Sequence, residues 1–212
     1  MNSYEFWVKG FGTRPEGLYS FEGKEVVPPV YQQVNNQYSY YLCITNDNQY
    51  GVYKRSMIIP PIYKRIEEIK DLGFKTYKDG KCGFIANDGT VLLNCEYDDF
   101  SALNHTVYMV VKDKKMGIYD TGSKISSDIK FKAISPVSKT LFAATLDSVY
   151  GIVNERGQWI VQPKFTKLNF TANEGIAYTG GKCGIIDTLG NWLCQPKYYS
   201  VSFKGNDYWA KD

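Results

Sequence analysis

Residue types that carry most enzyme chemistry are sparse and scattered along these 212 residues. The one histidine, His105, lies in Leu103-Asn104-His105-Thr106 with no nucleophile or orienting acid beside it, so it reads as a loop residue. Five cysteines (Cys43, Cys82, Cys95, Cys183 and Cys194) include no CxxC pair, which with a single histidine argues against a zinc site. Glu67-Glu68 and Asp98-Asp99 are adjacent carboxylates, but neighbours on a strand point to opposite faces and do not converge on one atom. Gly10-Phe11-Gly12 lacks the third glycine of a dinucleotide loop, and neither a Walker A nor a GxSxG sequence occurs. Asn104-His105-Thr106 and Asn169-Phe170-Thr171 match the glycosylation sequon, which has meaning only on secretion. The sequence assigns no catalytic, cofactor-binding or metal residue and implies no cofactor. Ligand-binding residues stay unknown, and the expectation is a protein that is not an enzyme.

The elements that would position any site are strands. Aromatic residues make up 16% of the chain, a composition that favours pleated, half-buried surfaces, and no helix with a sustained apolar stripe can be picked out. With 25 basic against 22 acidic residues, the charge balance gives no reason to expect nucleic acid or an anionic membrane as partner. The N-terminal stretch has no basic region followed by an apolar run, and no stretch of 18 apolar residues occurs. Free thiols in a reducing cytoplasm are the simplest account of the cysteines, so the expected location is cytoplasmic. Cys82 and Cys183 fall in one repeat slot and read as small apolar packing groups.

Self-similarity dominates the pattern. Gly17, Gly51, Gly83, Gly117, Gly151 and Gly184 follow one another at spacings of 34, 32, 34, 34 and 33 residues. Two apolar residues come after each, as in Val52-Tyr53 or Ile185-Ile186, and a second glycine follows in five units at Gly23, Gly89, Gly122, Gly157 and Gly190. A short apolar stretch then often ends in proline, as in Trp159-Ile160-Val161-Gln162-Pro163. An aromatic slot follows at Tyr31, Tyr63, Tyr97, Phe131, Phe165 and Tyr198, and three residues beyond it stand Val34, Ile66, Phe100, Ile134, Leu168 and Val201.

This pattern predicts an all-β chain of six tandem repeats of about 33 residues, each a three-stranded antiparallel meander. Such a unit cannot bury its own apolar face, so the repeats are expected to stack as an open superhelical array, with a small six-bladed propeller-like ring as the alternative. The predicted organisation is one repeat domain over 1–212, with repeats at 1–37, 38–70, 71–103, 104–136, 137–170 and 171–203 and a terminal strand in 204–212. A glycine inside a strand marks a bulge or the close approach of another backbone or ring, and here the aromatic slot is expected to pack over it.

The segments Lys81-Cys82-Gly83, Lys115-Met116-Gly117 and Lys182-Cys183-Gly184, with Trp192-Leu193-Cys194-Gln195-Pro196-Lys197-Tyr198, resemble the bacterial WG repeat across nearly the whole chain. Cys, Met or Tyr stands where that family has Trp, and Asp128-Ile129-Lys130-Phe131 replaces the proline segment in repeat four. The resemblance implies an all-β scaffold that mediates interactions, and it supplies no catalytic residues. The function expected is a non-enzymatic scaffold for protein–protein contacts, such as a bacterial adaptor or toxin-neutralising protein, whose partner is another protein. The alternative is a carbohydrate- or cell-wall-binding module using exposed aromatics, for which Tyr38-Ser39-Tyr40-Tyr41 and Tyr198-Tyr199-Ser200 are the candidates.

Overall fold

The computed structural model describes residues 5–8, 15–171, 173–204 and 207–211, and Gly10-Phe11-Gly12 lies outside them. All regular structure among the described residues is β, as the aromatic-rich, turn-punctuated sequence predicts. Strands β1 (Glu5–Val8), β2 (Glu16–Ser20) and β3 (Glu25–Tyr31) form a first sheet. Next comes β4 (Gln33–Asn36), β5 (Tyr41–Ile44), β6 (Tyr50–Tyr53) and β7 (Met57–Tyr63), followed by β8 (Arg65–Ile69), β9 (Gly73–Lys78), β10 (Lys81–Ala86) and β11 (Val91–Tyr97). A fourth sheet holds β12 (Asp99–Ala102), β13 (Val107–Lys112), β14 (Lys115–Asp120) and β15 (Ile125–Ser126). The fifth holds β16 (Ala133–Pro136), β17 (Leu141–Leu146), β18 (Val149–Asn154) and β19 (Trp159–Phe165). The sixth holds β20 (Lys167–Thr171), β21 (Glu174–Thr179), β22 (Lys182–Asp187) and β23 (Trp192–Tyr198), and β24 (Ser200–Lys204) pairs with β25 (Asp207–Lys211). Each sheet is an open antiparallel meander in chain order. The chain divides into two compact units, Met1–Tyr97 and Asp98–Asp212, where the sequence predicts a single repeat domain.

Complete sheets have four strands rather than the predicted three. The added strand is the segment past the aromatic slot: Val34, Ile66, Phe100, Ile134, Leu168 and Val201 belong to the opening strands of the next sheets, not to the tail of a repeat. A single residue separates the last strand of each sheet from the strand that follows, as Lys64 does between β7 and β8, except at the fourth sheet, where six residues lie between β15 and β16. A hairpin reversal needs a loop of at least about two residues, so the chain passes on to a new sheet instead. The sheets therefore begin near residues 33, 65, 99, 133, 167 and 200, ahead of the boundaries that the repeat pattern suggests.

The frame glycine sits on the strand before the last of its sheet, and its role follows from register. In the fifth sheet Tyr150 pairs with Phe165, Ile152 with Val161 and Val153 with Trp159, so residues 162–164 face the single Gly151 and Ile160 is looped out. The same double irregularity recurs between β2 and β3, β6 and β7, β10 and β11, and β22 and β23. Proline falls in this bulge at Pro163 and Pro196, where the missing N–H costs no ladder bond. A Cβ at Gly151 would overlap the Val161 carbonyl oxygen, and one at Gly184 would overlap that of Cys194. The bulged backbone is thus what presses on these glycines, not the ring of the aromatic slot; Phe165 is 1% exposed and packs into the core between sheets.

The fourth sheet departs from the others where its sequence does. Without the proline segment, β15 has two residues and pairs only through Tyr119–Ser126 and Asp120–Ile125, with Met116–Phe131 as an isolated bridge. Ser127 Oγ accepts the Ile118 N–H at 2.8 Å in place of a ladder carbonyl.

Within each unit the core is a series of clusters between successive sheets rather than one centre. In the N-terminal unit Leu18, Val27 and Tyr31 meet Val34 and Cys43, and Val52 and Ile59 meet Phe74 and Ile85. In the C-terminal unit Ile118 and Phe131 meet Phe142 and Val153, Val161 and Phe165 meet Leu168 and Ile186, and Ile176 and Cys183 meet Val201. Edge-to-face pairs join neighbours: Phe131–Trp159 at 5.5 Å and Phe165–Trp192 at 5.8 Å between ring centroids. Turn glycines complete the stacking, for Gly190 (φ 79°) leaves a Cβ position only 2.7 Å from Val161 Cγ2 of the preceding sheet. Within each unit, each sheet therefore depends on its neighbours, as repeat arrays require.

Candidate binding surface

The residues singled out for chemistry stay apart. His105 is exposed in the turn between β12 and β13. Among the described residues no three His, Cys, Asp or Glu side chains lie close enough to hold a metal ion. Cys43, Cys82 and Cys183 are buried, Cys95 and Cys194 half-buried, and all five are free thiols. Burial pushes the Cys43 thiol up to about 12, so it stays protonated and unreactive at neutral pH. Cys95 Sγ lies 3.4 Å from the Thr76 hydroxyl within one sheet.

The adjacent carboxylates serve the backbone and their neighbours. Glu67 accepts a hydrogen bond from the Tyr77 hydroxyl at 2.8 Å and pairs with Arg65 at 3.3 Å. Asp98 Oδ2 accepts the Asp113 N–H at 2.7 Å, while Asp99 Oδ1 accepts that of Phe100.

Asn104, the first sequon residue, is spent on structure. Its Oδ1 accepts from the Thr106 and Val107 N–H groups at 2.9 and 2.7 Å, and its Nδ2 donates to the Lys139 carbonyl at 2.9 Å and to Glu155 Oε1 at 3.3 Å. It clamps the fourth sheet to the fifth. Nothing in the repeat pattern signals this, because the partners are distant in sequence.

What the fold repeatedly presents to solvent is the junction between a fourth strand and the next sheet. In the N-terminal unit the exposed junction residues are Gln32-Gln33 and Lys64-Arg65; in the C-terminal unit they are Asp98-Asp99, Lys132-Ala133, Thr166-Lys167 and Tyr199-Ser200. The backbone here is pinned: the N–H groups of Lys64, Asp98, Lys132, Thr166 and Tyr199 donate to Tyr77, Val111, Thr145, Tyr178 and Lys211 carbonyls at 2.8–3.0 Å. Side chains are then free to differ, and they do, running through amide, basic, acidic and aromatic chemistry at one structural position. Their own contacts are exposed ones: Lys132 pairs with Asp147 at 3.4 Å, the Arg65 guanidinium lies 3.8 Å over the Tyr77 ring, and Lys182 Nζ lies 3.2 Å over Tyr199. Exposed pairs of this kind contribute about 0–1 kcal/mol each, so the fold does not depend on them.

The aromatics named for sugar stacking divide. Tyr40 is buried, Tyr41 and Tyr198 are half-buried, and Tyr38 and Tyr199 are exposed.

A family model described as WG-containing repeat matches residues 150–178, from β18 through β19 and β20 to β21. It therefore spans the closing strands of one sheet and the opening strands of the next. No curated protein matches the chain in sequence. Among solved structures, the chain is similar to the computationally designed Ika8 protein, with 14% identity and TM-score 0.39, covering 95% of this chain and 78% of that one. It is also similar to BamB from Moraxella catarrhalis (8% identity, TM-score 0.37, 93% and 76% covered) and to Kluyveromyces lactis Hsv2 (5%, 0.34, 83% and 68%). At such TM-scores these likenesses carry no argument about function. Residues 150–178 thus match a WG-containing repeat, and the strand glycine, bulged fourth strand and aromatic slot of that segment recur along the chain.

Proposed function

We propose that this chain is a non-enzymatic scaffold that mediates protein–protein contacts, an adaptor or toxin-neutralising protein of a bacterial cytoplasm. One observation carries the reading: the junction residues change chemistry from sheet to sheet on a pinned backbone, while glycine, aromatic and apolar slots between them hold constant. A repeat scaffold with a fixed interior and a varied exposed position is suited to reading another macromolecule by its surface pattern. The mixed signs of Lys64-Arg65, Asp98-Asp99 and Lys132 favour a partner with a charge pattern of its own over a uniformly anionic polymer.

The test is affinity capture from the native lysate with the tagged chain, followed by the same capture with the double variants Lys64→Ala/Arg65→Ala and Lys132→Ala/Lys167→Ala. The expected result is one protein retained at near-equal stoichiometry and at least a roughly tenfold loss of retention in one variant at unchanged melting temperature. Retention of nothing, or equal retention by wild type and both variants, overturns the proposal.

A further inference from the structure

One segment of the N-terminal unit differs from its counterparts in two independent ways. Five of the six residues from Gln32 to Gln37 carry side-chain amides: Gln32, Gln33, Asn35, Asn36 and Gln37. Together with Glu16 and Val34 they line an open cavity of about 730 Å³, within the roughly 300–1,000 Å³ that small-ligand sites occupy. Among the described residues the lining holds no cation, and its one apolar member, Val34, is buried in the core between sheets.

The second departure is Tyr38, which closes the segment. It is fully exposed and has φ 64°, in the left-handed region. The other left-handed non-glycine residues described are Asn, Asp or Lys, residues that surface turns commonly use. A bulky aromatic there costs about 1 kcal/mol or more, and a fully exposed ring gains nothing from packing to offset it. The backbone has no use for Tyr at this turn, so its ring is the feature in need of a role.

The hydrogen bonds of this segment narrow the guest. Gln33 Nε2 donates to Asn35 Oδ1 at 2.8 Å and the Tyr38 N–H donates to Asn36 Oδ1 at 2.7 Å, which orients both asparagines and leaves their Nδ2 groups as donors. Gln33 Oε1 and Glu16 Oε1 remain as acceptors, and Gln32 and Gln37 bring a donor and an acceptor each. A wall of interleaved donors and acceptors suits hydroxyl groups, which do both. The carboxylate disfavours phosphates and other anions, and the polar lining disfavours lipid. An added peptide strand along β4 would need the Val34 N–H, which already donates to Glu16 Oε2 at 2.9 Å. We propose that this cavity binds a neutral saccharide, its hydroxyls on the amides of residues 32–37 and a sugar ring against Tyr38. This site is independent of the scaffold reading, and partner capture does not test it.

The experiment is an NMR titration of the 15N-labelled full chain, following side-chain amide resonances. Cellohexaose, chitohexaose and maltohexaose are each added to about 10 mM, with an uncharged glycine–serine hexapeptide as the competing class. A saturable shift of the Gln and Asn amides with at least one sugar, at a Kd of about a millimolar, is expected. Tyr38→Asn suits the left-handed turn and should fold at least as well as wild type while weakening that binding about tenfold or more; Tyr38→Trp should retain it. Absence of a saturable shift with all three sugars, equal binding by Tyr38→Asn, or a response to the peptide alone overturns the proposal.

Discussion

Replacing the strand glycine by alanine should destabilise the fifth sheet far more than the fourth. A Cβ at Gly151 would overlap the Val161 carbonyl oxygen and lie 2.7 Å from Trp159 Cζ3 and 2.9 Å from Pro163 N. Two of these atoms are backbone of the bulged β19, so relief requires pulling β18 and β19 apart. At Gly117 the same Cβ would lie 3.0 Å from Ile129 Cγ1 and 3.4 Å from the Asp128 carbonyl oxygen, and a flexible side chain can yield. Overpacking of the first kind costs about 1–3 kcal/mol or more, whereas either Gly→Ala change gains about 0.4–1 kcal/mol by stiffening the unfolded chain. The expected balance is a loss of about 2 kcal/mol for Gly151→Ala and close to none for Gly117→Ala. For a unit of this size that gap is roughly 6–10 °C in melting temperature, read by circular dichroism, with hydrogen exchange on residues 141–165 locating the weakened sheet. Equal melting shifts for the two variants, or a stabilised Gly151→Ala, would refute the assignment of the glycine to the bulge.

Asn104→Ala should cost about 1–3 kcal/mol, since it removes bonds to the Thr106 and Val107 N–H groups and to the Lys139 carbonyl. Asn104→Asp keeps the acceptor but sets a carboxylate beside Glu155, so adding Glu155→Gln should recover part of the loss in a double-mutant cycle; no recovery would remove Glu155 from the clamp. Stability should be flat around neutrality and fall at both pH extremes. Burial raises Tyr31, Tyr40, Tyr63 and Tyr108 and takes Cys43 to about 12, so the folded chain holds these protons more tightly than the unfolded one and loses stability as pH rises above about 9. The Thr90 N–H lowers Asp88, the Ser123 hydroxyl lowers Asp120 and the Asn191 amide lowers Asp187; what these contribute is lost as pH falls below about 4. Urea midpoints from pH 3 to 10.5 read both limbs, and a midpoint that climbs between pH 8 and 10 would contradict the alkaline one.

Much of the architecture was legible because its determinants are local. Glycine spacing, the turn pairs such as Asp79-Gly80, and the alternation around Val52 or Ile185 specify antiparallel strands within a few residues, and repetition six times over averages out the noise of any one unit. The same locality explains why the repeat that lacks the proline segment carries the short β15.

Partner and register were not legible, and the reason is physical. The pattern around Gly151 says that something comes close, but whether a ring or a bulged backbone does so depends on strand pairing, which the tertiary structure decides. Likewise Ile66 reads as apolar whichever sheet it belongs to; only the one-residue link at Lys64 places it in the next. Asn104, the junction residues and Tyr38 look like ordinary loop polar or aromatic residues in one dimension. What sets them apart is three-dimensional: a carbonyl 35 residues on for Asn104, pinned N–H groups at the junctions, and a left-handed, fully exposed setting for Tyr38. Residue pattern alone specified tandem β repeats with a constant interior, since burying apolar slots leaves little choice. The tertiary structure decided where each sheet begins, what the glycines are for and which side chains face outward, since those depend on which backbone pairs with which.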